Sequence, residues 1–446
     1  MLTLDEATDV AATLLAKRNA EYERLDVIHD YLVGKSAPVY VPRDAREEYR
    51  WIAKQSRVNV LPLVVDTIAQ NLYVHGYRST ESGENAPQWG QWQANRMDAR
   101  QTGVHRAALT YGVSYVQVLP GDMGPAWSPF SPRAMTAVYD DPINDEWPQY
   151  AMTVTASLAG GVDVTVIGAE YRYRFTAPNV NEDSRLEYVG SEVHGVPWCP
   201  VVRFVNTYDL DGQVRGEVAP LVPLQDQINL TTFNLLVAQV FGAFRQKWVT
   251  GMDVPKDDQG RPIEPFKAAV NRIFVGEGEG TRFGDFNSTE LRGYLDSRES
   301  TLRNLATIAQ VPPNHLIGQM ANMSAEALAA AEVQQTRKVA ERKALFGESW
   351  EQVLGLSGQL AGAEVDPTAE VVWRDTEARS QAQIVDAAVK LRGIGFPIAF
   401  LAEMIGLTPQ ATETLLDNIE SEAVAEATNQ ARAFGLTGMT DDADIA

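Results

Sequence analysis

The feature that most constrains the fold is the run from Ser288 to Leu356, where a helical segment, a proline-bearing break and a much longer helix follow in order. Leu291, Leu295, Leu302, Leu305 and Ile308 recur at helical intervals. Pro312 and Pro313 stop that segment, because proline lacks an N–H and restricts the residue before it. A polar, methionine-containing turn then runs from Asn314 to Met323, and Ser324 offers an N-cap for a helix reaching about Leu356, roughly 50 Å at 1.5 Å per residue. Val339, Phe346, Trp350 and Val353 give this helix an apolar stripe, while Arg337, Lys338, Arg342 and Lys343 read as its polar middle. A rod of that length needs a large frame around it.

The rest of the chain supplies one. At 446 residues it exceeds the size at which a single core stops growing, so about two to four folding units are expected. Thr3 and Glu6 read as a capping box that opens an amphipathic helix carrying Val10, Leu14, Tyr22, Leu25, Ile28 and Leu32, with Gly34 as its C-terminal cap. Helical patterns continue over about 57–76 and 86–111. From Gly112 to Asn206 the period becomes two, and 114–118, 151–155, 162–166 and 171–175 alternate as half-buried antiparallel strands do. Pro220 to about Gln246 returns to helix through Leu224, Ile228, Phe233, Val237, Val240 and Phe244. Between it and the helix at Ser288 lie strand-like 248–250 and 272–275 and a polar turn at 256–261, so two helices bracket a small α/β insertion. Beyond the long helix, 370–374 reads as a strand, and helices resume at about 377–391, 397–405 and 409–433.

Motifs that would carry a reaction are incomplete. Gly34, Lys35 and Ser36 match the end of a nucleotide-binding P-loop, yet the glycine required five residues before Gly34 is His29 and the preceding segment is helical. A helix cap is the better reading. Asp209 to Gly212 suggests a calcium loop, but its first position would be Thr207 and its twelfth Val218, so a surface turn is expected. Gly276, Gly278 and Gly280 alternate with glutamates, too acidic a run to cradle phosphate. The five histidines, His29, His75, His105, His194 and His315, show no ligand spacing, and no metal or cofactor is expected. The lone Cys199 excludes an internal disulfide and reads as a buried thiol. The acidic start carries no secretory pattern, and Phe233 to Phe244 is too short to span a bilayer, so no membrane partner is expected.

The segment from Val311 to Leu328, with its Pro312-Pro313 break and the turn to Met323, resembles the central signature of tailed-bacteriophage portal proteins. Asn95 to Asp98 followed by His105 to Tyr115 is similar to that family's helix-to-strand junction, and Val196 to Asn206 to its strand leading toward the stem. The order of these segments carries the resemblance. It implies an α+β portal-type ring subunit with a wing, stem, clip and C-terminal helical crown built on the long helix at about 324–356. The wing would comprise 1–222 and 324–375, the stem helices 223–245 and 289–311, the clip 246–288, the channel loop 312–323 and the crown helices with the acidic tail 376–446. The resemblance further implies a homo-oligomer of twelve subunits at a capsid vertex, assembled in the host cytoplasm. Double-stranded DNA would pass through it without sequence specificity, and no enzymatic step is its own. Implied partners are the terminase large subunit, the major capsid and scaffold proteins, and head-completion or adaptor proteins. Candidate channel-loop residues are Asn314, His315, Gln319, Met320 and Asn322, with Arg303 as a basic residue of the channel, and Lys256, Arg261, Lys267 and Arg272 would serve clip docking. Two other classes stay open on sequence alone: a virion structural or scaffold protein without a channel, and a nucleotide-using enzyme suggested by Gly34 to Ser36.

Charge bears on that reading. Lys and Arg number 38 against 59 Asp and Glu, a formal net charge of −21. From Ala361 onward fifteen acids face five bases. Proteins that grip DNA neutralise phosphates with Lys and Arg. A ring of copies each carrying −21 would instead repel a duplex from its walls, which suits sliding.

Overall fold

A computed structural model describes residues 1–43, 47–79, 85–122, 124–158, 160–180, 185–243, 247–251, 258–259, 280, 282–285, 290–318, 325–374, 381–407 and 409–433. They divide into two compact units, one of residues 1–27, 64–219 and 333–446, the other of 28–63 and 220–332. In chain order, helices α1 (Leu4–Leu32), α2 (Glu47–Gln55) and α3 (Leu61–Ala69) precede strand β1 (Val74–Arg78). Helices α4 (Trp89–Ala94) and α5 (Met97–Tyr111) lead into β2 (Val113–Leu119), β3 (Ala126–Phe130) and β4 (Met135–Val138). Then come β5 (Tyr150–Ala156), β6 (Val162–Ile167), β7 (Tyr171–Ala177), β8 (Glu187–Val193) and β9 (Val201–Val205). The remainder is α6 (Val222–Ala243), β10 (Lys247–Thr250), β11 (Arg282–Asp285), α7 (Arg292–Ala309), α8 (Pro313–Ile317), α9 (Ala325–Leu360), β12 (Glu370–Trp373), α10 (Gln381–Gly393), α11 (Ile398–Met404) and α12 (Pro409–Ala433).

In the first unit, the expected capping box opens α1: Thr3 N donates to Glu6 Oε2 at 2.8 Å and Glu6 N donates to Thr3 Oγ1 at 3.3 Å. Ala7, Ala11, Leu14 and Leu15 follow at helical spacing and pack on Met152, Val164, Val166, Tyr173 and Phe175. Those five project from one face of an antiparallel meander in the order β4-β5-β6-β7-β8. Because side chains alternate along a strand, Ala151 and Ile167 point the other way. They meet Val113, Tyr115, Cys199 and Val201 of the three-stranded sheet β3-β2-β9 and its approach. The Cys199 thiol is buried, as its sequence surroundings predicted. Residues 57–76 do not form one helix. Asn71 Nδ2 bonds Thr67 O at 2.9 Å and closes α3, and Val74–Arg78 becomes a strand paired antiparallel with β12. The pattern also leaves α2 unread.

Helix α9 has 36 residues, four beyond the expected end at Leu356, a length of about 54 Å. Its predicted apolar stripe is buried, with Phe346, Trp350 and Val353 at 0% exposure and Val339 at 7%. Trp350 lies edge-on to Trp92 and Phe204, with centroids 4.8 and 4.6 Å apart, and Phe346 stacks on His105 at 5.3 Å. Two residues of the supposed polar middle depart from expectation. Lys338 and Arg342 are buried, because Glu217 reaches both: Lys338 Nζ lies 2.5 Å from Glu217 Oε2 and Arg342 Nη2 3.4 Å from Glu217 Oε1. Asn206 completes the cluster, accepting from Arg342 Nε at 2.8 Å and donating to Glu217 Oε1 at 3.1 Å. Close backbone approach presents Glu217. Its N–H donates to Leu109 O at 2.7 Å, and a Cβ on Gly112, whose φ is +100°, would lie 2.9 Å from the Arg215 carbonyl carbon.

In the second unit, Gly34 at φ +79° closes α1 with Gly34 N to Tyr31 O and Lys35 N to Asp30 O, the paired bonds of a Schellman motif. Ser36 is buried and accepts from Asn229 Nδ2 at 3.0 Å. Gly34 to Ser36 therefore forms a helix end and an anchor for α6. The turn at Asp209 in the first unit is also local, with Asp211 N and Gly212 N bonded back to Asp209.

Candidate functional site

Helices α6 and α7 flank the antiparallel pair β10-β11 in the sequence, the helix-insertion-helix order expected. The buried side of α6 differs from its apolar pattern. Gln225, Ile228, Asn229, Thr232 and Leu235 are buried, whereas Leu230 is 48% and Val240 37% exposed. Backbone needs explain the polar choice: Val60 N donates to Gln225 Oε1 at 3.1 Å, Val58 N to Asn229 Oδ1 at 3.0 Å, and Gln225 Nε2 donates to Val58 O. Tyr31 adds its hydroxyl, which donates to Asp226 Oδ1 at 2.8 Å. Burial and that carboxylate raise the Tyr31 pKa. On α7, Leu302 and Leu305 are buried, while Leu295 is 49% and Ile308 57% exposed.

The α7 to α8 junction is more structured than a turn. Helix α7 ends at Ala309, before the prolines, with Gln310 left-handed at φ 56°. Gln310 N bonds Thr307 O at 3.2 Å and Val311 N bonds Ala306 O at 3.0 Å. This is a Schellman closure without its usual glycine. Pro313 does not merely stop a helix: it occupies the first turn of α8, where a missing N–H removes no helical bond. Half of the expected 314–323 turn is thus one helical turn, ended by Gly318 at φ 71°.

Arg303 is exposed on α7, but Glu299 one turn earlier holds its guanidinium at 2.6 Å, so its charge is locally compensated. Asn314 is half-buried and its Oδ1 has no hydrogen-bond partner among the described residues; His315 is exposed. Gln319, Met320 and Asn322 lie outside the described residues, as do Ser324, Phe244 and the docking candidates Lys256, Arg261, Lys267 and Arg272. So do the strand expected at 272–275 and the glycine–glutamate run up to Glu279. Among the described residues no cluster suited to a metal occurs, and no helix is long and apolar enough to cross a membrane. His105 and His194 are interior hydrogen-bonding groups, the latter bonding Gly168 O at 2.9 Å.

The chain is thus a mixed helix and sheet protein in which a long helix follows a helix pair that brackets a two-stranded insertion. It matches the model of the family described as phage portal protein, SPP1 Gp6-like, over residues 11–420, and it belongs to that family. It is 28% identical over 416 residues to the portal protein of Mycobacterium phage D29 and 25% identical over 410 residues to that of Mycobacterium phage L5. Each alignment covers 86% of this chain and 81% of the relative. Among solved structures, it is similar to a chain in the virion of a native gene transfer agent particle, with TM-score 0.45 and 16% identity over 86% of this chain and 99% of that one. It is also similar to one in the neck of the native particle computed with C12 symmetry, with TM-score 0.43 and 14% identity over the same shares.

Proposed function

We propose that this chain is the subunit of a closed ring at one capsid vertex, through whose channel double-stranded DNA is packaged and later ejected. The observation that carries the reading is the α6/α7 pair around β10-β11, in a family of portal proteins, with Leu230, Val240, Leu295 and Ile308 left exposed on the two helices. Exposed apolar residues on adjacent helices suit burial against neighbouring copies. In this reading α6 and α7 are the stem, 246–288 the clip, 312–323 the channel loop, 1–222 with 324–375 the wing, and 376–446 the crown. The clip docks the terminase large subunit during packaging and head-completion proteins afterwards; capsid and scaffold proteins surround the vertex. The subunit is a conduit, and nucleotide hydrolysis belongs to the separate terminase motor. Assembly takes place in the host cytoplasm and the ring stays in the virion.

Particle images of the purified protein test the reading. The expected result is a closed ring with an axial hole, twelve subunits around. A stable monomer at micromolar concentration, or open filaments alone, would overturn it. Deleting Gly318 to Ala321 should leave the ring intact while impairing DNA packaging or retention. Wild-type packaging and retention after that deletion would remove Asn314 to Met323 from the channel.

A further inference from the structure

Within the first unit, α5 and α9 are packed together through His105, Phe346 and Trp350, so each helix keeps its opposite face for something else. On α9 the buried residues Phe346, Trp350 and Val353 occupy one side. Ala344, Glu348, Gln352 and Gln359 lie on the other, since two residues of an α-helix turn through about 200°. They border an open cleft of about 670 Å³ closed by the loop of Asp145 to Trp147 and by Asp366. Gln352 Nε2 holds that loop through Glu146 O at 2.9 Å. The cleft is acidic, with Asp145, Glu146, Glu348, Glu351 and Asp366 on its walls. Arg203 is its one cationic lining residue among the described residues, and it is committed: it donates to Pro142 O at 2.6 Å and lies over the Tyr139 ring at 4.2 Å. Among the described residues the carboxylates of Glu146 and Glu348 have no hydrogen-bond or ion-pair partner, and the buried Tyr139 hydroxyl lacks one as well. Burial pushes the Glu351 carboxyl up.

Helix α5 shows the converse. Its buried side is Met97, Gln101, Val104, His105 and Ala108. About 200° away from Gln101 and Val104 stand Gly103 and Arg106; Arg100 is exposed on the helix, and Arg96, exposed too, sits just ahead of it as a left-handed N-cap. Arg106 pairs with Asp66 at 2.8 Å, while the guanidinium groups of Arg96 and Arg100 have no partner among the described residues. Arg100, Gly103 and Arg106 line a second open groove, of about 710 Å³, against β3. A Cβ on Gly103 would meet nothing within 4 Å, so the helix has room for a side chain at that position.

An acidic cleft on one side of a helix pair and a basic, small-residue face on the opposite side are complementary only between two copies, not within one. We infer that the arginine face of α5 docks in the α9 cleft of the next copy, a head-to-tail contact in which Arg100 and Arg96 meet Glu348 and Glu146. The occupant is a second copy of this chain, because its own α5 supplies the opposite charge and a head-to-tail contact repeats around a ring. The inference rests on the ring reading and specifies one of its interfaces.

Four variants test it by particle imaging and sedimentation across a concentration series. Arg100→Glu and Glu348→Arg, each alone, should raise the concentration needed for assembly by about tenfold or more, since like charges then face each other. Combining them should restore most of the loss. Gly103→Trp adds a side chain where the isolated subunit has room, so it should retain the wild-type melting temperature yet fail to assemble. Rings formed normally by Arg100→Glu and Gly103→Trp would overturn the α5 to α9 contact while leaving the ring reading standing. A wild-type protein that never forms rings would overturn both.

Discussion

The protonation of His105 is set by geometry so restrictive that it makes a quantitative test of the α9 packing. An indole N–H can only donate, so the 2.9 Å contact from Trp350 Nε1 requires His105 Nε2 to be the accepting nitrogen. The proton must then sit on Nδ1, which donates to Leu72 O at 3.2 Å. Phe346 stacks on the ring, which is fully buried. A second proton would break the Trp350 bond and place a charge among aromatic rings, and burial accordingly pushes the pKa down to about 3. An imidazole depressed in the folded state binds protons first in the unfolded chain, where its pKa is about 6.5. Its contribution is therefore complete above about pH 6.5 and is lost as pH falls from there toward 3. From pH 7 to pH 5 the loss is about 2 kcal/mol. His105→Gln should cost about 1–3 kcal/mol at pH 7 through imperfectly satisfied partners. It should also remove the pH-linked loss, so that the gap between the two proteins narrows by about 2 kcal/mol on going to pH 5. Urea unfolding followed by tryptophan fluorescence at pH 7, 6 and 5 measures both. Parallel pH profiles for the two proteins would show that His105 titrates freely in the folded state, which is incompatible with this packing.

Three further outcomes follow from particular contacts. Glu217→Gln leaves Lys338 and Arg342 buried without their shared carboxylate and should destabilise the first unit by about 3–5 kcal/mol in denaturant unfolding; a change below about 1 kcal/mol would mean that water screens the cluster. Gln310→Gly relieves a left-handed non-glycine residue at the end of α7 and should raise stability by about 0.5–1 kcal/mol, read as a higher unfolding midpoint; a lower midpoint would show that the side chain contributes more than its backbone strain costs. The net charge of −21 predicts weak, sequence-independent affinity for duplex DNA at physiological salt in mobility-shift titrations; tight binding with a steep salt dependence would reveal a phosphate-contacting surface that the charge balance hides.

What the sequence revealed about the fold is what depends on near neighbours. Thr3 and Glu6 are three residues apart, and Gly34 closes the same helix, so both ends of α1 were legible from local chemistry. The meander from β5 to β7 was legible because each strand is bonded to its sequence neighbour and has its two faces in different surroundings. The errors share the opposite cause. Val74–Arg78 looks like a continuation of α3 because the partner that makes it a strand, β12, lies beyond α9. Lys338 and Arg342 look like a solvated face because the carboxylate that permits their burial is Glu217, contributed from before α6.

The candidate site was legible in its order and misjudged in its detail, and proline and polar side chains account for most of that. A proline pair is equally compatible with ending one helix and with beginning another, since the first turn needs no N–H from it. The decision lies with Gln310: once α7 closes there through its own backbone, Pro313 is free to start α8. Along α6, hydrophobic spacing picked out Phe233, Val237 and Val240, but the loop at Val58 and Val60 has backbone groups that need partners. Gln225 and Asn229 turn inward to supply them. Rotating α6 to bury that polar side leaves Leu230 and Val240 outside. The same polar requirement that defeats a purely hydrophobic reading of the helix therefore creates the exposed apolar surface on which the proposed contacts between copies depend.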